Sequence, residues 1–368
     1  MTATTAPALF ETLRVGRTVL PNRLVMAPLT RMRATPPDDL PNDLMRDYYV
    51  QRAGAGLIVT EGTQVSPRGK GYLDTPGIHS PAQTDAWGRI VDDVHAAGGR
   101  IAAQLWHVGR VSHASFHDGA LPVAPSAIAS GGRTSVKGPD GRPERVPSPV
   151  PHALSTEEIA ATVEDYRAAA RNARAAGFDL VEIHAAHGYL IHQFLSPTSN
   201  VREDAYGGTP ENRRRFALEV VDAVVDGFGG ADGVGIRISP VGSFNGVEDP
   251  DGEATGLALA SEFAARDLAF LHLSEPDWVG GESLSDDFRT ALRAAYGGPI
   301  VAAGGYDVAK AERVLRGGWA DAIAFGRWWI ANPDLDVRLR TGAPLNEPDK
   351  ATFYGGGADG YTDYPTLR

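Results

Sequence analysis

The feature of this sequence that most constrains its fold is a regular alternation of short apolar segments with longer amphipathic ones. Each short segment predicts a buried strand, and eight can be counted, at residues 24–28, 56–63, 100–106, 179–184, 234–239, 269–274, 299–303 and 320–325. Most are separated by segments with helical periodicity, for example 156–176, 212–228 and 307–317. Eight strands alternating with helices over 368 residues predict a (β/α)8 barrel that forms one domain, residues 1–368.

Two segments depart from the minimal barrel pattern. Residues 12–21, with Gly16 at a turn, predict a β-hairpin that covers the bottom of the barrel. Residues 120–154, rich in Gly, Pro and Ser, predict a long insertion after the third strand. A doubly wound sheet is the alternative architecture, but no G-x-G-x-x-G sequence follows any of the predicted strands, so the barrel is favoured.

The composition limits the classes of partner. A net charge of −11 argues against nucleic acid or an anionic membrane, and the absence of Cys excludes disulfides, thiolate metal sites and iron–sulfur clusters. Residues 1–7 have neither the basic nor the apolar part of a signal peptide, and no apolar run is long enough to span a bilayer. The expectation is a cytoplasmic protein, a monomer or weak homodimer, that acts on small molecules.

Polar residues and glycines collect where the predicted strands end. In a barrel the carboxyl ends of all strands meet at one rim, and the active sites of barrel enzymes lie there. Seven different strands contribute to this set, which comprises Thr30, Glu61, Gln104, Trp106, His184, His187, Arg237, Gly304, Gly305, Gly326 and Arg327. The sequence therefore predicts an active site at this rim.

Two imidazoles and a phenol follow the fourth predicted strand, at His184, His187 and Tyr189. On a straight strand the two histidines would face opposite ways, whereas on a helical turn they share a face and can converge on one polar group. Two N–H donors and a phenol would form an oxyanion clamp with a proton donor, which suits adding hydride and a proton to an activated double bond. A metal site that also uses His192, and histidines that only pack or cap, are the alternatives. We expect His192 to pack or to support the two histidines from behind.

Glycines after the last two strands predict a phosphate site. Gly304 and Gly305 follow the seventh strand, and Gly326 and Arg327 follow the eighth. Glycines let backbone N–H groups approach an anion, and an Arg adds a bidentate contact. The alternative is a pair of ordinary turns with a surface Arg. The pattern indicates a phosphate without distinguishing FMN from a sugar phosphate.

Residues 184–212 resemble the signature of the old yellow enzyme family, the FMN-dependent ene-reductases, and the resemblance extends over about residues 9–365. The His/His pair is similar to the bacterial branch, which includes pentaerythritol tetranitrate reductase and N-ethylmaleimide reductase. The resemblance implies an NAD(P)H-dependent, ping-pong reduction of the activated C=C bond of α,β-unsaturated carbonyls, maleimides and nitroalkenes. Nitrate esters are implied as substrates by resemblance alone.

The resemblance also implies a role for individual residues. Arg237 would place a positive charge near N1 of the flavin, Gln104 an amide along its pyrimidine edge, and Thr30 a donor to C4=O. Taken alone, each could instead be an ordinary polar residue of a barrel. The implied FMN contacts are Pro28, Thr30, Gly62, Gln104, Arg237, Gly304, Gly305, Gly326 and Arg327. The implied substrate contacts are His184, His187, Tyr72, Trp106 and Tyr354, with Tyr189 as the general acid.

The sequence departs from the family's common pattern in two places. Gly62 stands where relatives often have Ala, and Trp328 and Trp329 stand where relatives more often have Pro-Phe. These differences affect the expected flavin affinity and the width of the pocket. Residues 353–365 resemble the family's C-terminal segment folded over the barrel, but a frayed tail is the alternative.

Two other functions remain open. One is that of a barrel lyase or isomerase acting on a sugar phosphate, and the other is that of a flavin protein with a sensing or storage role. A yellow colour of the purified protein would distinguish an ene-reductase from the lyase or isomerase. Bleaching by NADPH followed by recolouring with an enone would distinguish it from the sensing or storage protein.

Overall fold

Parallel strands and the helices between them make up most of the structure, a computed structural model in which residues 7–139 and 143–367 are described. The strands are β1 (Leu13–Val15), β2 (Thr18–Leu20), β3 (Leu24–Met26), β4 (Leu57–Val59), β5 (Thr63–Gln64), β6 (Ile101–Trp106), β7 (Val123–Ala124), β8 (Arg133–Lys137), β9 (Pro143–Pro147), β10 (His152–Ala153), β11 (Leu180–Ala185), β12 (Val234–Ile238), β13 (Phe270–Ser274), β14 (Ile300–Ala303) and β15 (Ala322–Phe325). The α-helices are α1 (Asp43–Val50), α2 (Pro81–Ala96), α3 (Thr156–Ala175), α4 (Leu190–Leu195), α5 (Pro210–Phe228), α6 (Gly252–Ala264), α7 (Asp286–Tyr296), α8 (Val308–Arg316), α9 (Arg327–Ala331) and α10 (Leu335–Thr341). Within the described ranges, no helix combines the length and the hydropathy that crossing a membrane requires.

Eight of the strands close into a parallel barrel. The order around it is β3, β4, β6, β11, β12, β13, β14 and β15, with β15 paired to β3 and β11 paired to β6. This confirms the predicted (β/α)8 fold. One predicted strand, 56–63, is wrong in its extent, because β4 ends at Val59 and β5 pairs separately with β6. The reason is a contact with the neighbouring strand: the Gln104 N–H donates to the Thr60 hydroxyl, at 3.0 Å, so a side chain replaces a backbone carbonyl in the ladder.

Apolar side chains fill both faces of the barrel wall. Alternate residues of each strand point inward and outward, and strands covered on both faces are apolar throughout. The inner core includes Val25, Val59, Ala102, Leu180, Phe270, Val301 and Ala324. Helix α3 covers the outer face and begins where the sequence indicates, since Ser155 and Glu158 form a reciprocal capping box.

The predicted hairpin and insertion are both present. The β1–β2 hairpin lies at the amino-terminal end of the barrel, where the Arg17 N–H donates to the Asp232 carbonyl at 3.0 Å, just before β12. Gly16 is required there, because φ is +52° and a Cβ would lie 1.9 Å from that carbonyl oxygen. The insertion 120–154 contains the antiparallel pair β8–β9 and the parallel pair β7–β10. Its residues 140–142, like residues 1–6, lie outside the described residues.

Candidate active site

A cavity of about 560 Å³ opens at the carboxyl ends of the barrel strands. Its size is in the range of cofactor and substrate pockets. The cavity brings together most of the residues predicted from the sequence, namely Pro28, Thr30, Gly62, Gln104, Trp106, His184, His187, Tyr189, Arg237, Gly304, Gly305, Gly326, Arg327 and Tyr354. The two exceptions are Tyr72, which lies behind Tyr189 and contacts it, and Glu61, which is buried and accepts a hydrogen bond from the backbone N–H of Arg31.

His184, near the end of β11, presents an N–H to the cavity. Its Nδ1 accepts a hydrogen bond from the backbone N–H of Ala186, at 3.2 Å, so the ring proton lies on Nε2. Burial, and then the positive charge of Arg237, lower the pKa of His184 well below its ordinary value. The side chain is therefore a neutral imidazole with one N–H available to a ligand.

His187 reaches the same site by a backbone route that the sequence did not reveal. The expected helical turn is wrong, because His184 belongs to β11, helix α4 begins only at Leu190, and His187 has a φ of +57°. The Ser239 hydroxyl accepts from the His187 N–H and Asn245 donates to the His187 carbonyl, both at 2.9 Å, and these bonds hold the turn. The two imidazole centroids still lie 5.4 Å apart, so the predicted convergence occurs.

The two histidines are not equivalent. Nε2 of His187 lies 2.8 Å from the Ser274 hydroxyl and is already engaged, whereas Nε2 of His184 has no such partner among the described residues. Burial, followed by the charge of Arg237, also lowers the pKa of His187 well below its ordinary value. Both rings are neutral, but only His184 offers a donor that no neighbouring side chain occupies.

Tyr189 lies against both His184 and Trp106, with ring centroids 5.0 Å from each. Its hydroxyl is 3.0 Å from the hydroxyl of Tyr72, which itself stacks on Trp106 at 5.4 Å. Burial, and then the neighbouring Tyr72, raise the pKa of Tyr189 well above its ordinary value. The phenol therefore keeps its proton and can act as a donor in the cavity.

At the opposite end of the cavity, the predicted phosphate site already holds an anionic group of the chain. The Gly305 N–H donates to the carboxylate of Asp277 at 2.6 Å, and the same carboxylate pairs with Lys310 at 2.5 Å. Arg327 is exposed and donates to the Trp278 carbonyl at 3.3 Å. The Gly305 amide therefore binds a carboxylate of the chain itself, and a phosphate would compete with Asp277 for this amide.

The structure explains the residues that depart from the family's common pattern, Gly62, Trp328 and Trp329. A Cβ on Gly62 would lie 2.4 Å from the ring of Trp106, so the absence of a side chain makes room for this indole in the cavity wall. Trp328 lines the cavity and stacks on Phe325 at 5.0 Å. Trp329 is buried, and its carbonyl accepts from Arg52 at 2.8 Å.

The C-terminal segment is anchored over the barrel, so the frayed-tail alternative is wrong. Arg31 donates to the carbonyls of Phe353, at 2.9 Å, and Gly360, at 2.8 Å. Tyr361 is fully buried and stacks on Tyr48 with a centroid distance of 4.0 Å. These contacts place Tyr354, 65 % exposed, at the edge of the cavity.

The described residues provide no set of ligands for the alternative in which the histidines bind a metal ion. Nδ1 of His192 accepts from the Gly188 N–H at 3.0 Å, and burial lowers its pKa to about 4. Over residues 7–139 and 143–367, no group of three or more His, Asp or Glu side chains is arranged to hold a metal ion. His192 packs beneath the turn that carries His187.

Comparison with known proteins identifies the family. The sequence pattern of the NADH:flavin oxidoreductase / NADH oxidase family matches residues 8–346. The chain belongs to this family. It is an oxidoreductase of the old yellow enzyme type, and its cofactor is FMN.

Relatives of this oxidoreductase match it over nearly their whole length. It is 43% identical to putative 12-oxophytodienoate reductase 11 of Oryza sativa subsp. japonica, with 99% of each chain covered. It is also 43% identical to a probable flavin mononucleotide-dependent alkene reductase of Leishmania infantum, over 98% of this chain and 97% of the relative. Among solved structures, morphinone reductase in complex with tetrahydroNAD is 50% identical, with a TM-score of 0.94 over 98% of both chains. The old yellow enzyme homologue from Zymomonas mobilis is 41% identical, with a TM-score of 0.92 over 98% of this chain and 99% of that one.

The cavity of this oxidoreductase fits FMN at both ends. Arg237 is buried, yet its Nε has no partner among the described residues, which leaves a donor for a ligand inside the barrel mouth. Such an unpaired buried donor is costly unless a ligand satisfies it. At the other end, the Gly305 amide is occupied by a carboxylate, which demonstrates its preference for an anion.

Several residues of the site were missed from the sequence. Asp277 lies three residues beyond Ser274, the last residue of β13, so the strand-end rule that selected the other rim residues could have found it. Lys310 lies on α8 and reaches the rim only through the fold. Glu182 and His272 are titratable residues with apolar neighbours on both sides in their strands, and that contrast was a usable signal.

Proposed function

We propose that this oxidoreductase reduces the activated C=C bond of α,β-unsaturated carbonyls, maleimides and nitroalkenes with NADPH or NADH, and that both half-reactions share one cavity in a ping-pong mechanism. The observation that carries the proposal is the pairing of the neutral donor His184 with the protonated phenol Tyr189, 5.0 Å apart between ring centroids. The alkene reductase named among its relatives supports the same reaction. Nitrate esters are included on resemblance alone.

The groups that would hold FMN divide into a ring set and a phosphate set. Arg237 and Gln104 are the charged and amide groups suited to the isoalloxazine, beside Pro28, Thr30 and Gly62. The phosphate set comprises Gly304, Gly305, Gly326 and Arg327. The chemistry that bound FMN supplies is hydride transfer from the nicotinamide to the β-carbon of the alkene.

The chain's own contribution is to the charge and the proton. His184 would donate a hydrogen bond to the substrate oxygen, and His187 would donate a second one in exchange for its contact with Ser274; both bonds strengthen as negative charge builds on the oxygen. Tyr189 would give its proton to the α-carbon from the other side. Trp106 and Tyr354 would wall the substrate, and Tyr72 would contribute from behind Tyr189.

The test is an anaerobic one. The purified protein should be yellow, release FMN and not FAD on denaturation, bleach with NADPH and regain its colour with an enone. Addition across a β-substituted enone should be trans. A colourless protein with full activity, or a bleached protein that no alkene reoxidises, would contradict the proposal.

Three broader expectations belong with this function. The chain would act as one FMN-binding domain, as a monomer or weak homodimer, and in the cytoplasm. Limited proteolysis of the holoenzyme, its mass in solution and fractionation of cells test these expectations separately.

A further inference from the structure

Beneath the cavity, Glu182 and His272 form a contact that the proposed function leaves unused. His272 Nδ1 lies 2.6 Å from Glu182 Oε2, and both side chains are completely buried. Gln104 Nε2 donates to the other carboxylate oxygen at 2.7 Å. Glu182 and Gln104 are register partners on β11 and β6, so they lie side by side on the inner face of the barrel.

The hydrogen bonds define the ionisation of this group. Burial by itself raises the pKa of Glu182, but His272, Arg237 and Gln104 together bring the pKa below its ordinary value. Burial lowers the pKa of His272, whose Nε2 has no partner among the described residues. Glu182 is therefore a carboxylate that accepts from Gln104 and from a neutral His272.

A carboxylate at this position fixes the orientation of the Gln104 amide. Because an ionised carboxylate only accepts, the NH₂ group of Gln104 must face Glu182. The carbonyl oxygen of the amide is then directed away from Glu182 and has no partner among the described residues. Gln104 lines the cavity, so the group that it offers to a ligand there is an acceptor.

The same carboxylate opposes the charge of Arg237. Burial lowers the pKa of Arg237, and Glu182 is the first group that counteracts it. β11 pairs with β12 so that Glu182 lies opposite Gly235, two residues before Arg237 and on the same face of the barrel wall, and the Nε of the buried Arg237 has no partner among the described residues. In this part of the cavity, the positive potential of Arg237 is therefore partly cancelled by the negative potential of Glu182.

We propose that Glu182, held by His272, is a positioning residue for FMN: it turns the Gln104 carbonyl toward the N3–H of the flavin and lowers the flavin's reduction potential by opposing Arg237. The inference rests on the proposed function, since it assigns Gln104 and Arg237 to the flavin ring. The inference separates two effects of Glu182. The orientation that it gives to the Gln104 amide determines the affinity for FMN, and its charge affects the reduction potential of the flavin.

Two substitutions of Glu182 separate the effects in the holoenzyme. Glu182→Gln keeps the shape but removes the charge: its oxygen can accept from Gln104, and its NH₂ group can donate to Nδ1 of His272 when the ring proton moves to the unpartnered Nε2. At a fixed electrode potential, the ratio of reduced to oxidised flavin should rise on the order of tenfold, the effect of one charge in a protein interior, with little change in affinity for oxidised FMN. Arg237→Ala should shift the potential in the opposite direction. Val301→Ala, at a buried position of the inner core, is the control for a loosened barrel and should leave the potential unchanged.

Glu182→Leu removes the acceptor as well. Oxidised FMN should dissociate about tenfold more readily, the equivalent of one hydrogen bond, as measured by flavin fluorescence on dilution of the holoenzyme. In a Gln104→Leu background the same substitution should have no further effect on affinity. An additive loss there would overturn the positioning role, and a Glu182→Gln potential equal to that of the control would overturn the charge role.

The near-isosteric Glu182→Gln decides the charge role even if Glu182→Leu does not fold. His272→Leu, which leaves Gln104 the only hydrogen-bonding neighbour of Glu182 among these three residues, should weaken FMN binding, and His272→Asn should restore it by returning a donor. Equal binding by both variants would count against the positioning role. Failure of the proposed function is distinguishable, because the unsubstituted protein would then lack FMN or fail to reduce an alkene.

Discussion

The two ends of the cavity present their polar groups in opposite ways. At the substrate end, His184 and Tyr189 are neutral, their pKa values are displaced by burial, and their donors point into the cavity. At the phosphate end, Arg327 is exposed, and the Gly305 amide is bound to the ionised Asp277, whose pKa burial raises but Lys310 and the amide lower below its ordinary value.

This difference indicates at which end of the cavity the protein must rearrange when a ligand binds. The substrate end is preorganised, because its donors are oriented by the barrel and have no charges to release. The phosphate end must exchange one anion for another, so its contribution to affinity is the difference between phosphate and carboxylate. Substitutions at the first end should therefore affect rate strongly, and substitutions at the second should affect FMN affinity modestly and in a salt-dependent way.

Removing both imidazoles should have the largest effect. One lost oxyanion donor typically costs about 10²–10³ in rate, so the double variant His184→Ala/His187→Ala should lose more than about 10³ in the oxidative half-reaction with an enone while retaining its flavin. His184→Ala alone should cost more than His187→Ala alone, because Nε2 of His187 is engaged by Ser274. Stopped-flow reoxidation of the reduced enzyme measures this. Loss of FMN from the double variant, or a larger effect at His187, would contradict the proposed roles.

Removing the phenol should have the next largest effect. In Tyr189→Phe, flavin reduction by NADPH should be intact, and reoxidation by a slow enone should fall on the order of 10²-fold, within the range of general-acid catalysis. Maleimides should suffer less, since their anions can await a proton from water. Tyr72→Phe is the matched control, because it keeps the Tyr189 proton and removes only the hydroxyl 3.0 Å away. Equal slowing of both half-reactions would mean that Tyr189 is a packing residue.

At the phosphate end, two substitutions should move FMN affinity in opposite directions. Asp277→Asn removes the competing charge at the Gly305 amide, so FMN should bind more tightly, by about tenfold at low salt, whereas Arg327→Ala should weaken binding by a similar factor. Both effects should shrink as salt rises, since Arg327 is exposed. Asp286→Asn is the control, because this exposed acid pairs with Arg313 instead. Weaker binding by Asp277→Asn would show that the carboxylate helps to hold the cofactor.

The parts of this site that the sequence predicted are those set by local pattern. Apolar periodicity located all eight barrel strands, and the strand-end rule collected the residues that line the cavity. The convergence of His184 and His187 was predicted from the wrong backbone, because the left-handed φ of His187 depends on Ser239 and Asn245, more than fifty residues away. Local pattern carries no information about such distant contacts.

Contacts between elements that are distant in the sequence account for most of what was missed. Glu182 meets Gln104 because β11 pairs with β6 in one particular register. Asp277 enters the phosphate end because Lys310, on a later helix, holds its carboxylate. The early end of β4 is a third case, since it depends on the Thr60 hydroxyl meeting the backbone of β6.

The smallest expected effect is that of pH. The pKa values of His184 and His187 lie well below, and that of Tyr189 well above, their ordinary values. Lowered pKa values keep both imidazoles deprotonated and a raised one keeps the phenol protonated, so none of the three should titrate between about pH 6 and 8. The rate of reoxidation by an enone should therefore be nearly flat across this window.

One nearby group does titrate in that window. Burial raises the pKa of Glu61 to about 7, and its carboxylate lies 3.4 Å from the Arg31 backbone N–H at the edge of the cavity. Any residual slope in the pH profile should disappear in Glu61→Gln. A rate that rises with an apparent pKa near 6.5 and survives this substitution would mean that a catalytic imidazole is protonated in acid. The substrate end would then carry charge as the phosphate end does, and the contrast between the two ends would fail.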